Sequence, residues 1–207
     1  MLNILKKKIT KNENQILLKG PDFRLNNILI IGVVHGDEPQ GEELINRYIN
    51  DKSDSNLLFI SSLNPDGKVL NTRTNANGVD INRNFPTKNW ELTEKDNYYG
   101  GESPASEIET KFLVEIIDEF KPSAIITLHT PYKIVNYDGP AKELAEDISK
   151  IINYPVEASI GYPTPGSFGT YAGVELNIPI ITLEMDEEES IDVLYPKIKS
   201  IFGYLEV

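Results

Sequence analysis

The chain has two histidines, His35 and His129. Each directly follows an apolar run of strand length, residues 28–34 and 124–128. If both runs are strands of one parallel sheet, both imidazoles arrive at the same sheet edge. Glu38 follows His35 by three positions in His35-Gly36-Asp37-Glu38, a tight turn in which Gly36 is expected to supply unusual backbone angles and let both side chains face one point. The chain contains no cysteine, so any metal must sit on imidazole and carboxylate. Two histidines and a glutamate form the three-ligand set that leaves a fourth position of zinc open to water, as catalytic sites require.

A second group of reactive types lies in residues 64–86. Asn64-Pro65-Asp66-Gly67 is turn chemistry. Arg73 and the dense Asn82-Arg83-Asn84 are not explained by a turn, and forked donors of that kind suit a carboxylate. Glu184 ends a third apolar run, residues 178–183, and heads an acidic stretch to Glu189 suited to the start of a helix.

The elements that must position these residues alternate. Residues 1–27 break short apolar runs with Asn, Lys and Gly and are expected to form an N-terminal β-hairpin. Strands are expected at 28–34, 57–63, 124–128 and 178–183. Helices are expected at 41–49, from Ser103-Pro104 through the apolar face of Ile108, Phe112, Leu113, Ile116 and Ile117, at 140–152, and at 191–205. This order implies a three-layer α/β/α fold with a mixed, largely parallel central sheet, in which ligands gather beyond the carboxyl ends of the strands. Residues 64–102 and 154–168 lack periodicity and are expected to be functional loops. Trp90, Tyr98 and Tyr99 border the first loop and are expected to anchor it to the core.

At 207 residues, one domain spanning 1–207 is expected, with no repeat or linker. The formal charge of −12 argues against a nucleic-acid partner. No run approaches the length of a membrane span, and the N-terminus lacks the apolar core of a signal peptide. A cytoplasmic protein without a membrane partner is therefore expected. Whether it forms a homodimer stays open.

These motifs, in this order, resemble the zinc metallocarboxypeptidases of the carboxypeptidase A type: His-x-x-Glu, Asn-Pro-Asp-Gly, an arginine, Gly-Val-Asp-x-Asn-Arg-Asn, a strand-end His and a strand-borne Glu. Within that family, residues 73–90 and the stretch Gly161-Tyr162-Pro163-Thr164-Pro165-Gly166-Ser167-Phe168-Gly169 are similar to the murein peptide amidases. The resemblance implies one zinc per chain on His35, Glu38 and His129, Glu184 as general base and Arg73 as electrophile on the scissile carbonyl. It also implies Asn82 and Arg83 on the substrate carboxylate and Tyr162 as a mobile substrate-binding tyrosine. Phe168, an aromatic beside Gly-Ser in a loop, is read from the residue itself either as packed into the core or as a substrate-binding wall of the pocket that reads the leaving residue. The implied reaction is hydrolysis of the γ-D-glutamyl-meso-diaminopimelate bond of a murein-derived tripeptide. The alternatives are a general metallocarboxypeptidase, an N-acyl amino-acid deacylase, or a non-catalytic peptide-binding module on the same scaffold.

Overall fold

Three continuous apolar segments, β3 (Ile28–Ile31), β5 (Ala124–His129) and β8 (Ile180–Glu184), lie side by side and parallel at the centre of an eight-stranded sheet. Runs of this kind suit strands covered on both faces. The computed structural model describes residues 2–21, 27–52, 54–158 and 161–206. The remaining strands are β1 (Asn3–Ile9), β2 (Gln15–Gly20), β4 (Leu58–Ile60), β6 (Ile134–Asp138) and β7 (Val156–Glu157), in the order β1-β2-β4-β3-β5-β8-β6-β7. The sheet is mixed: β1, β2 and β4 pair antiparallel in succession, and β6 runs antiparallel to β8.

Alternation along the strands sorts the core into two layers. Ile30, Ile126, Leu128, Ile181 and Leu183 pack under helices α1 (Gln40–Asp51), α4 (Lys142–Ile152) and α5 (Ile191–Leu205). Leu29, Ile31, Ile125 and Ile180 pack on the opposite face against α3 (Ile108–Phe120), with Phe85, Phe168 and Tyr171. This is the three-layer α/β/α arrangement. The consequence for the site is positional: Thr127, His129, Thr182 and Glu184 share the α3 side of the sheet, because side chains two apart in a strand point the same way.

Four expectations change in detail. Asn64-Pro65-Asp66-Gly67 is not a free turn but the start of a short helix, α2 (Pro65–Leu70), with Asn64 Oδ1 accepting from Gly67 N at 2.9 Å and Pro65 in the first turn. Turn and helix start use the same residues, so the local signal was ambiguous. Helix α3 begins at Ile108 rather than at Ser103-Pro104, because Asn84 holds the preceding loop, its Nδ2 donating to the Gly100 and Ser103 carbonyls and its Oδ1 accepting from Glu107 N. Strand β6 and the π-helical turn Gly169–Glu175 were not expected at all. Among the described residues, no helix is long and apolar enough to cross a membrane.

Candidate active site

The path from β3 to the first reactive residues is unusually constrained. After Ile31, Gly32 N donates to Ile60 O, and Leu63 N and Asn64 N donate back to the Gly32 and Val33 carbonyls. Val33 is thereby held at φ +50°, a conformation a β-branched residue adopts only when its surroundings enforce it. His35 and Glu38 then face one point. The role of Gly36 differs from expectation: its φ is not positive, and what it supplies is room, since a Cβ there would lie 2.0 Å from the Gly67 carbonyl carbon. The His35–Glu38 turn and helix α2 therefore touch backbone to backbone. Gly36→Ala is expected to destabilise the fold by about 2 kcal/mol or more, as overpacking does, and to lower metal content. Denaturant unfolding and elemental analysis would measure the two effects.

His35 and His129 close on Glu38 from two sides. His35 Nδ1 lies 2.8 Å from Glu38 Oε1, and His129 Nδ1 lies 2.8 Å from Oε2. The candidate ligand atoms of the three residues all fall within 4.8 Å of one another. All three side chains are nearly or fully buried. Burial alone would push the Glu38 carboxyl up, but the two imidazoles outweigh it and hold it well below the usual carboxylate range. Burial likewise lowers His35, and the Glu38 and Asp80 carboxylates override it, raising the imidazole to about 9. The cluster thus draws positive charge inward. With two nitrogens and a carboxylate converging, it fits a divalent metal of the zinc type.

Asp80 was not singled out from sequence, yet it ties the site together. It is fully buried, with Oδ1 3.3 Å from His35 Nε2 and accepting from Asn82 N at 2.9 Å, while Oδ2 accepts from Arg73 Nε at 2.9 Å. A carboxylate behind a ligand imidazole fixes its ring and tautomer. The only sequence signal was its place between Val79 and Asn82-Arg83, which reads equally as a turn. Arg73 Nη1 in addition approaches Glu38 Oε1 at 3.8 Å.

Arg83 is 7% exposed, donates from Nη1 to the Asn82 carbonyl, and lines the same cleft. Asn82 Oδ1 accepts from Phe168 N at 2.9 Å, so the group it keeps for the cleft is its amide nitrogen. Tyr98, expected in the core, instead stands about half exposed at the cleft, with the Arg73 and Arg83 guanidiniums 5.1 and 5.9 Å from its ring. Tyr99 is buried as expected. Tyr162 is exposed and lines the cleft together with Tyr132. Phe168 is a correction. Its ring is 3% exposed and stacks 4.8 Å from Phe85, so it belongs to the core and acts on the site only through its backbone N–H.

Glu184 completes the cleft. It pairs in register with His129 at the carboxyl ends of β8 and β5 and is 8% exposed. Burial pushes its carboxyl up to about 7, with His129 opposing and Glu38 assisting. The residue lines the cleft, and its Oε2 is buried without a hydrogen-bond partner among the described residues. The reactive residues together bound a cavity of about 210 Å³.

A family model for zinc carboxypeptidases matches residues 7–147. Murein peptide amidase A of Escherichia coli K12 is 34% identical over 170 residues, which cover 75% of this chain and 69% of that protein. The chain belongs to the zinc carboxypeptidase family. The fold agrees over its full length: the crystal structure of a murein-tripeptide amidase from Escherichia coli O157 superposes with a TM-score of 0.87 at 28% identity, covering 100% of this chain and 92% of that one. A carboxypeptidase A from Helicoverpa armigera shares the fold at a TM-score of 0.77 and 14% identity, covering 100% of this chain and 68% of that one. Zinc carboxypeptidases are hydrolases, and this member has its polar cleft at the strand ends where the family architecture places ligands.

Proposed function

We propose that this zinc carboxypeptidase hydrolyses the γ-D-glutamyl-meso-diaminopimelate amide of the murein tripeptide L-Ala-γ-D-Glu-meso-diaminopimelate, with zinc held by His35, Glu38 and His129. The observation that carries this reading is the likeness to murein peptide amidases, at 34% identity to one and end to end in the fold with another. Zinc, when bound, acts as a Lewis acid that makes water more acidic and the carbonyl more electrophilic. Glu184 takes the proton from the attacking water and delivers it to the leaving amine, a role suited to a carboxyl raised to about 7. Arg73, oriented by Asp80, donates to the oxygen on which charge develops. Arg83 and the Asn82 amide hold the carboxylate of the leaving residue. Tyr162 and Tyr98 sit at the cleft mouth beside them. We place the reaction in the cytoplasm, as a step in recycling peptidoglycan.

Mass analysis of products from the murein tripeptide, the corresponding pentapeptide and a hippuryl amino acid tests the reading. Free meso-diaminopimelate should appear from the tripeptide. The pentapeptide should be cut poorly, because its D-Ala occupies the carboxylate that Arg83 would hold. Arg83→Ala should lower kcat/KM by about 10- to 100-fold, the loss of one or more charge-assisted bonds, with zinc retained. Faster cleavage of the hippuryl substrate than of either murein peptide would replace this reading with a general carboxypeptidase.

A further inference from the structure

The turn of the N-terminal hairpin is fastened to the interior by a carboxylate that the hydrolysis does not touch. Asp66 is the second residue of α2 and is fully buried. Its charge at a helix start is favourable in itself, but its oxygens are aimed elsewhere. Oδ1 accepts from Thr10 Oγ1 at 2.6 Å and from Asn14 Nδ2 at 2.8 Å, and Oδ2 accepts from Asn12 N at 3.1 Å. All three donors belong to the turn between β1 and β2. That turn is closed by Thr10 N donating to Asn14 O at 2.9 Å and by Asn14 N donating to Thr10 Oγ1 at 3.1 Å. Lys11, in the same turn, donates from Nζ to the Ala76 carbonyl at 3.2 Å and to Asn77 Oδ1 at 2.7 Å. The hairpin thus grips both α2 and the segment between Arg73 and Asp80.

Behind Asp66 lies the metal turn. Gly67, the next residue, is in backbone contact with both parts of the site: a Cβ on Gly36 would lie 2.0 Å from the Gly67 carbonyl carbon, and a Cβ on Gly67 would lie 2.5 Å from the Thr74 carbonyl oxygen. Gly36 N donates to the Arg73 carbonyl at 3.4 Å, and Asn64, which caps α2, donates from Nδ2 to the Val34 and Arg73 carbonyls at 3.4 and 3.5 Å. These bonds are long, so the relation of α2 to the two segments depends on where α2 itself is held. Taking the metal reading as its basis, we infer that Asp66 is a positioning residue for the zinc ligands and for Arg73, locking the hairpin turn onto the start of α2. Glycine against glycine leaves no side chain to absorb a shift of α2, and close-packed interiors transmit such shifts. A displaced α2 therefore moves His35 and Glu38. Burying a carboxylate is costly, and the charge-assisted bonds from the turn offset that cost only in one geometry. An apolar residue of similar size would hold the two elements together without fixing them so narrowly.

The test reads the zinc affinity of the folded full chain separately from its stability. Zinc dissociation constants come from competition with a chelator well below the unfolding temperature, and the stability of the metal-free protein comes from denaturant unfolding. Asp66→Asn keeps one acceptor but turns a donor toward the donors of the hairpin turn. It should weaken zinc binding about 10-fold, the lower end of the effect that outer partners of a metal ligand carry. Thr10→Val and Asn14→Ala, made from the hairpin side, should act in the same direction. Asp66→Asn combined with Asn14→Ala should lose little more than the larger single effect, since both break one contact. Ile198→Val, a change in the core under α5 that costs stability alone, should leave zinc affinity as it is. Unchanged affinity in Asp66→Asn, or an equal loss in Ile198→Val at matched stability, overturns the assignment and leaves Asp66 as a fastening of the fold. If Asp66→Asn does not fold, the two hairpin-side variants carry the same comparison. A wild type that binds no zinc would remove the metal reading and this inference with it, whereas an unchanged affinity in the variants removes this inference alone.

Discussion

Glu184→Gln is expected to reduce kcat by about 10²- to 10⁴-fold while metal content and thermal unfolding stay near those of the wild type. Glutamine keeps the shape and one carbonyl acceptor but cannot take up a proton at neutral pH. The position supports so large an effect, because Glu184 ends β8 beside His129, is 8% exposed, and has one buried oxygen without a partner among the described residues. A carboxyl raised to about 7 can accept a proton from water and return it within the same turnover. Near-normal turnover in a zinc-containing variant would sink the general-base role. Loss of metal from the variant would assign Glu184 to the ligand set.

The second large effect is on the metal. His129→Ala is expected to leave the purified protein with well under one zinc per chain after dialysis, and to bring hydrolysis down to the level of chelator-treated wild type. Even an outer partner of a ligand alters metal affinity by about 10- to 100-fold, and loss of one of three ligands should exceed that. The geometry adds a reason: Glu38 Oε2 lies against His129 Nδ1 at 2.8 Å, so the substitution also leaves a buried carboxylate oxygen without its imidazole. Elemental analysis of the dialysed proteins decides the matter. Equal zinc in variant and wild type would remove His129 from the site.

His35, His129 and Glu184 were legible because they sit at the ends of apolar runs; Glu38, Arg73, Asn82 and Arg83 stood out only through their motifs and the family resemblance. Strands β3, β5 and β8 are buried on both faces, so their sequences are nearly unbroken Ile and Leu, and a His or Glu at the end of such a run stands out. Strand β6 escaped notice for the opposite reason. Its sequence, Ile134-Val135-Asn136-Tyr137-Asp138, carries an apolar face on one side and the polar cleft wall on the other, and five residues of mixed character give a weak signal. The placement of Phe168 was not legible either, since a phenylalanine beside Gly-Ser looks the same whether it lines a pocket or stacks on Phe85. Asp80 and Tyr98 depend on contacts between loops distant in sequence, and no local pattern reports such contacts. Gly36 was recognised as necessary, but its reason, the approach of Gly67, exists only once α2 has folded against it.

The antiparallel insertion of β6 between β8 and β7 has an evolutionary consequence. None of the residues proposed to hold the metal or move the proton lies on it; those occupy the parallel strand ends and the loop after β3. Asn136 and Asp138 line the cleft from this strand, so a substitution there reshapes the cleft wall without altering the register of His129 with Glu184. The wall of the cleft and the chemistry at its floor can therefore vary independently along the chain.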